Sequence, residues 1–386
     1  MLWYVLIALL VGVLLGRVWA LFIRPEPAGF RREGSRGSTN YILGLNYLIS
    51  NQTDLAILEL GKAAKLDSET VEVFITLGNL FREKGHVERA IQIHRGVLHR
   101  SHLSDVERNQ ALLCLGIDFK KAGIIDRAIG IFEELIQRDP DSINGYLNLA
   151  ELYEELKDWE KAYAAHEKVL QMGYSTSRMA LGFIQNELGL ISLGEKDYPG
   201  AIKRFQKAIS TDPTIYPAYI NRGDAYLESG EVPLAINYWE KLIAIAPLKS
   251  YLVLDRLKKA YEMVEEPDRY EALLVRLAGE NRKDWRVRVA LAEHDRENGK
   301  AKKAYRWLLE ASRINPHSLT VHQFFWRLLL EEGLPRDKVE EYVDASREMV
   351  FFLDPYICLK CHYKTTELLW RCPHCHAWNS FVEEKL

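Results

Sequence analysis

Small and apolar positions recur along most of this chain with a fixed long period. In residues 77–98, Leu-Gly-Asn-Leu-Phe-Arg-Glu-Lys-Gly-His-Val-Glu-Arg-Ala-Ile-Gln-Ile-His-Arg-Gly-Val-Leu, the positions Gly78, Phe81, Ala90, Ile91 and Leu98 fall at helical spacings on either side of Gly85. Two short antiparallel helices joined by a turn at Gly85 satisfy that pattern. Gly78 and Ala90, twelve residues apart, then lie where the two backbones approach closely and a larger side chain would wedge them apart.

The same twelve-residue pair occurs eight times: Gly44/Ala56, Gly78/Ala90, Gly116/Ala128, Ala150/Ala162, Gly189/Ala201, Gly223/Ala235, Ala260/Ala272 and Ala292/Ala304. The alanines step by 34, 38, 34, 39, 34, 37 and 32 residues, clustering on the 34-residue period of the tetratricopeptide repeat. An aromatic residue or Ser follows the first small residue by three in six units (Tyr47, Phe81, Phe119, Tyr153, Ser192 and Tyr226), and Pro140, Pro213, Pro247 and Pro316 close several. Proline lacks an N–H and disfavours a helical residue before it, so these residues end helices. The predicted fold class is therefore all-α, a tetratricopeptide-repeat solenoid of about eight units over residues 40–318, in which each hairpin buries its apolar face against its neighbours. Residues 319–353 keep a helical pattern, interrupted at Gly333-Leu334-Pro335, and read as capping helices.

Ahead of the array the pattern changes. Residues 2–23 carry one charge, Arg17. As a helix they would span about 33 Å at ~1.5 Å per residue, enough for a hydrocarbon core of roughly 30 Å. No basic residue precedes the apolar run and no small-x-small cleavage site follows it, which favours an uncleaved transmembrane anchor over residues 1–23 rather than a secretory signal. Arg17, Arg24, Arg31, Arg32 and Arg36 all follow the apolar core. By the positive-inside tendency the N-terminus faces out and the bulk of the chain is cytoplasmic. Residues 24–39 mix Arg, Pro, Gly and Ser and read as a flexible basic tether.

Charge narrows the function classes. Across 386 residues, 51 Lys plus Arg stand against 54 Asp plus Glu, a formal net charge of -3. That balance supplies no electrostatic reason to bind nucleic acid. The array also contains no phosphate loop, nucleophile elbow or zinc-protease helix, so no enzymatic activity is expected. Polar residues flanking the small positions, Asn79, Arg82, Lys120, Glu151, Glu154 and Asp224, are the candidates for lining a partner groove. Cys114, between Leu113 and Leu115, reads as a small buried hydrophobe, and His94, His99 and His102 as ordinary residues of a helix end and its loop.

The remaining four of the five cysteines lie in an 18-residue tail segment: Cys358-Leu-Lys-Cys361, then Cys372-Pro-His-Cys375. Two facing C-x-x-C knuckles supply four thiolates in a tetrahedron, which suits Zn(II) or a single iron. A cytoplasmic location argues against two disulfides. Residues 354–386 are too few to bury a core unaided, so the metal is expected to contribute to folding. Trp370 and Trp378 frame the second knuckle and are expected to pack the ribbon on itself or on the solenoid.

The order of anchor, arginine-rich tether, repeat array and rubredoxin-like ribbon resembles the lipopolysaccharide assembly protein B family of Gram-negative bacteria. The residues that carry the resemblance are Leu77 to His94, Asn46-Tyr-Leu-Ile-Ser-Asn-Gln52 and Trp370-Arg-Cys-Pro-His-Cys-His-Ala-Trp378. What it implies is an inner-membrane adaptor that limits lipopolysaccharide synthesis by promoting degradation of the lipid A deacetylase by the membrane-bound AAA metalloprotease. Other lipopolysaccharide synthesis or transport proteins are further expected partners. A scaffold gathering such enzymes without controlling their turnover, and an iron-dependent redox protein, are the competing functional classes. The resemblance carries Cys358, Cys361, Cys372 and Cys375 over as ligands of one metal ion. Rubredoxin-like members point to iron, but the glycines that often follow such knuckles are His362 and His376 here, and the site chemistry leaves iron and zinc both open.

Overall fold

The computed structural model of the chain describes residues 32–67, 70–332, 335–346 and 356–384. The expected anchor and residues 24–31 of the tether lie outside the described residues. Among the described residues no helix is long and apolar enough to cross a membrane.

The chain packs as two units, Met1–Leu152 and Tyr153–Leu386. The first carries α1 (Arg32–Ile49), α2 (Thr53–Leu66), α3 (Val71–Glu83), α4 (Val87–Leu98), α5 (Asp105–Lys121), α6 (Ile125–Arg138) and most of α7 (Ile143–Glu155). The second continues with α8 (Trp159–Gln171), α9 (Arg178–Gly194), α10 (Tyr198–Thr211), α11 (Tyr216–Glu228), α12 (Val232–Ile245), α13 (Leu254–Met263), α14 (Asp268–Glu280), α15 (Trp285–Glu297) and α16 (Ala301–Ile314). Helices α17 (Leu319–Glu332) and α18 (Arg336–Ser346) follow, with Phe325 and Tyr342 buried against Tyr305 of α16 as the cap.

Helix α1 begins at Arg32, inside the segment expected to be a flexible tether. No proline follows Pro27 before residue 40, so nothing in the covalent backbone stops the helix from extending into the arginine-rich stretch.

The turn inside each hairpin is built the same way. Its last residue, Asn51, Gly85, Gly123, Lys157, Lys196, Gly230, Glu265 or Gly299, has φ between 57° and 88°. The next amide donates back to the carbonyl five residues earlier, as His86 does to Phe81 and Glu231 to Tyr226, both at 2.8 Å. This left-handed C-cap satisfies helix carbonyls that would otherwise lack a donor.

Aligning the hairpins on this turn corrects the seventh unit. Five residues after the turn comes a fully buried alanine in the other units, such as Ala90, Ala128 and Ala235, but after Glu265 comes Tyr270, also buried. Ala272 is exposed, so the Ala260/Ala272 spacing is coincidental and two residues out of register. The close approach at the small positions also has a definite cause. A Cβ built on Gly78 would lie 2.4 Å from the His94 ring and one on Gly223 2.2 Å from the Trp239 indole. Each glycine makes room for a large side chain one helical turn beyond the paired alanine.

The tail forms a three-stranded antiparallel sheet, with β1 (Tyr356–Cys358) between β2 (Lys364–Thr365) and β3 (Phe381–Glu383). Tyr356 pairs with Thr365 on one side and Glu383 on the other.

Candidate metal centre

The two cysteine knuckles are made by the same backbone pattern. In the first, His362 N–H donates to Cys358 O and Cys358 N–H to Tyr363 O, both at 2.9 Å; in the second, His376 N–H donates to Cys372 O and Cys372 N–H to Ala377 O, also at 2.9 Å. Each knuckle turns through a left-handed histidine, His362 at φ 59° and His376 at φ 56°. These are the positions where glycine would relieve the backbone, and the hydrogen bonds hold histidine there instead.

The turns bring four sulfurs together. Cys358 Sγ lies 3.6 Å from Cys375 Sγ, and Cys361 Sγ 3.5 Å from Cys372 Sγ. All four lie within 4.8 Å of one another. A tetrahedron of thiolates about 2.3 Å from a central ion has edges of about 3.8 Å, so the donor set fits one tetrahedral ion. Cys358 and Cys372 are fully buried. Desolvation, followed by the sulfurs of Cys375, Cys372 and Cys358, pushes the Cys361 thiol up to about 12. Desolvation likewise raises Cys375. At Cys358 desolvation is outweighed by Ser380 Oγ and the amides of Cys361 and Lys360, which bring that thiol down to about 6. Crowded sulfurs that resist ionising together are what a bound cation relieves. The ion would supply fold stability to the ribbon, and a four-thiolate donor set is compatible with either iron or zinc. The fifth cysteine, Cys114 on α5, is buried as expected.

The ribbon does not trail from the end of the array; it seats on helices from α7 to α15 within the second unit. Trp378 stacks on Phe183 of α9, with ring centroids 4.6 Å apart and planes 14° from parallel. Trp378 Nε1 donates to Glu154 Oε2 at 3.3 Å, and Arg371 Nη2 meets the same oxygen at 2.7 Å. The other oxygen of Glu154 lies 2.8 Å from His166 Nε2, so the carboxylate is buried with both oxygens engaged. At the far edge Arg286 of α15 grips Glu383 through both terminal nitrogens, Nη1 at 3.1 Å, while Tyr251 and Tyr356 hydroxyls meet at 3.3 Å. Lys249 stands over Trp370 at 5.7 Å.

The six candidate groove residues are therefore occupied within the chain. Arg82 reaches Asp118 and Asn79, each at 2.7 Å. Lys120 pairs with Glu151 at 2.5 Å. Asp224 takes Arg256 through two nitrogens at 2.7 and 3.0 Å, and Glu154 holds the ribbon. The sequence singles out Glu154 of the ribbon's seat only as a groove candidate, and Phe183, Tyr251 and Arg286 stand at no special repeat position; the tryptophans beside the cysteines are expected only to pack the ribbon on itself or on the solenoid. His94 is fully buried, with Nδ1 2.5 Å from Asp118.

Comparison with known proteins agrees with this architecture. A family model described as a rubredoxin metal binding domain matches residues 356–383, and two described as tetratricopeptide repeat match residues 121–180 and 186–249. Lipopolysaccharide assembly protein B of Escherichia coli (strain K12) is 28% identical over 378 residues, covering 97% of each chain. The protein of that name from Haemophilus influenzae is 27% identical over 353 residues, 89% of each chain. Among solved structures, the C-terminal part of a repeat protein from Cytophaga hutchinsonii is 16% identical with a TM-score of 0.43, covering 74% of this chain and 98% of that one. With repeats and ribbon in this order and similarity running over nearly its whole length, the chain is similar from end to end to the proteins named lipopolysaccharide assembly protein B.

Proposed function

We propose that the protein is a non-catalytic adaptor at the bacterial inner membrane, with its N-terminus out and its repeats and ribbon on the cytoplasmic side. In this reading it regulates lipopolysaccharide synthesis by presenting the lipid A deacetylase to the membrane AAA metalloprotease. The observation that carries the reading is full-length similarity to proteins named for lipopolysaccharide assembly. The physical arrangement suits it. A repeat array offers extended surface for protein contacts, and holding substrate and enzyme together raises effective concentration without chemistry. The metal ribbon, gripped at Glu154 and Arg286, stiffens the second unit.

The test is the lifetime of the deacetylase after protein synthesis is stopped, in cells with the intact chain, without it, and with Cys358→Ser plus Cys361→Ser. A long-lived deacetylase in both altered strains supports the adaptor. Unchanged lifetimes with disturbed lipopolysaccharide synthesis would overturn it in favour of the scaffold.

A further inference from the structure

The first unit carries a recess of about 530 Å³ between α4 and α6, floored by α5. Its floor is apolar, with Leu112, Leu115 and Phe119 buried in it. Its rim is cationic: Arg95 comes from α4, Arg108 from α5 and Arg127 from α6, against one acid, Glu134. The guanidiniums of Arg95 and Arg127 approach the same Phe119 ring from two helices, at 6.0 and 5.7 Å. That ring attracts both cations to the recess, and both arginines are exposed there.

These arginines differ from others in the array. Arg82 ends on Asp118, Arg138 on Asp105, Arg256 on Asp224 and Arg296 on Glu331. Among the described residues, none of the three rim guanidiniums has a carboxylate within ion-pair distance. The α6 wall is also left open, because a Cβ built on Gly130 meets no atom within 4 Å. Alanine would fit there and favour the helix, so packing does not account for the glycine.

We propose that this recess docks an acidic peptide segment of a partner protein, its carboxylates on Arg95 and Arg127 and an apolar side chain over Phe119. A planar fork matches carboxylate geometry, and a concavity walled by two helices suits a chain rather than a flat lipid surface. The proposal rests on the array being a protein-binding scaffold. Its assay uses the purified full chain without protease, so its failure leaves the turnover reading standing.

The probe is a short fluorescein-labelled peptide of Asp, Glu and Leu, read by anisotropy. A version with Lys in place of the acids, and phosphatidylglycerol vesicles as competitor, accompany it. The acidic peptide should bind, weaken with salt, and lose at least about tenfold in affinity with Arg95→Glu plus Arg127→Glu. Gly130→Trp should block the recess and Gly130→Ala should leave binding intact, a pair that decides the matter if the double reversal misfolds. No binding, equal binding of the Lys peptide, binding indifferent to both the reversal and Gly130→Trp, or displacement by the vesicles would each overturn the proposal.

Discussion

Arg371 and Glu154 form an ion pair at 2.7 Å between the second cysteine knuckle and the end of α7. The carboxylate is buried and also receives Trp378 and His166. Removing one partner of a buried pair strands the other, at a typical cost of roughly 3–5 kcal/mol. Glu154→Ala should therefore lower the thermal midpoint of the second unit and release Trp378 from Phe183, seen as a red shift of tryptophan emission. An unchanged midpoint and emission would show that the stacking and the Arg286 grip hold the ribbon without Glu154.

Metal removal should act on the same joint from the other side. Cys358→Ser, or chelation under reducing conditions, should abolish the single bound ion and unfold the ribbon, so that protease cleaves within residues 356–384 while the helical circular dichroism persists. Metal analysis and visible absorption of the intact chain would give the ion count and separate iron from colourless zinc. Two ions per chain, or a protease-resistant ribbon without metal, would contradict the four-sulfur site.

The helix turns supply a stabilising change. Lys196 holds φ at 63° where four of the eight hairpin turns use glycine, at Gly85, Gly123, Gly230 and Gly299. A left-handed non-glycine residue costs roughly 1–2 kcal/mol, partly offset by the extra chain entropy of glycine when unfolded. Lys196→Gly should raise stability by about 0.5–1 kcal/mol in denaturant unfolding, and Gly230→Ala should lower it by a similar amount.

Close approach at the small positions makes the opposite prediction for size. Gly223→Ala forces a methyl against Trp239 and should cost about 1–3 kcal/mol as overpacking. Gly61→Ala, with nothing within 4 Å of the added carbon, should be neutral or stabilising. If both behave alike, the spacing of small residues is not what sets the hairpin contact.

The cap should weaken in mild acid. His322 is buried, with Nδ1 2.9 Å from Tyr342 OH and Nε2 2.7 Å from Pro316 O. Burial, then the neighbouring His317, lowers its pKa below 6.5 against the opposing pull of the Pro316 carbonyl. A lowered folded value means the unfolded chain binds the proton more readily. The contribution is thus complete above about pH 6.5 and declines as pH falls below it. Protection factors of the α17 amides, corrected for the slower intrinsic exchange in acid, should fall between pH 7.5 and 5.5, and His322→Gln should flatten that response.

Much of this was legible in the chain itself. The alanines at positions such as Ala90, Ala128 and Ala235 gave the period because their burial is local to one hairpin, and the cysteine spacing named the metal site because four ligands sit in one short segment. The seventh unit misled because Ala272 satisfies the spacing by chance, and only the turn at Glu265 fixes the register on Tyr270. The seat of the ribbon was illegible for a different reason. Glu154 and Trp378 stand 224 residues apart, and no periodicity relates them.

The ribbon is synthesised after all the repeats it packs on, yet its partners begin at Glu154. Translation runs from the N-terminus, and early units fold while later ones are still being made. The repeats from α8 onward thus leave the ribosome with Phe183, Tyr251 and Arg286 uncovered, and the second unit is completed only after the final strand emerges and its cysteines take up their ion. Completion of the second unit is thereby timed by synthesis of the ribbon and by the local supply of metal.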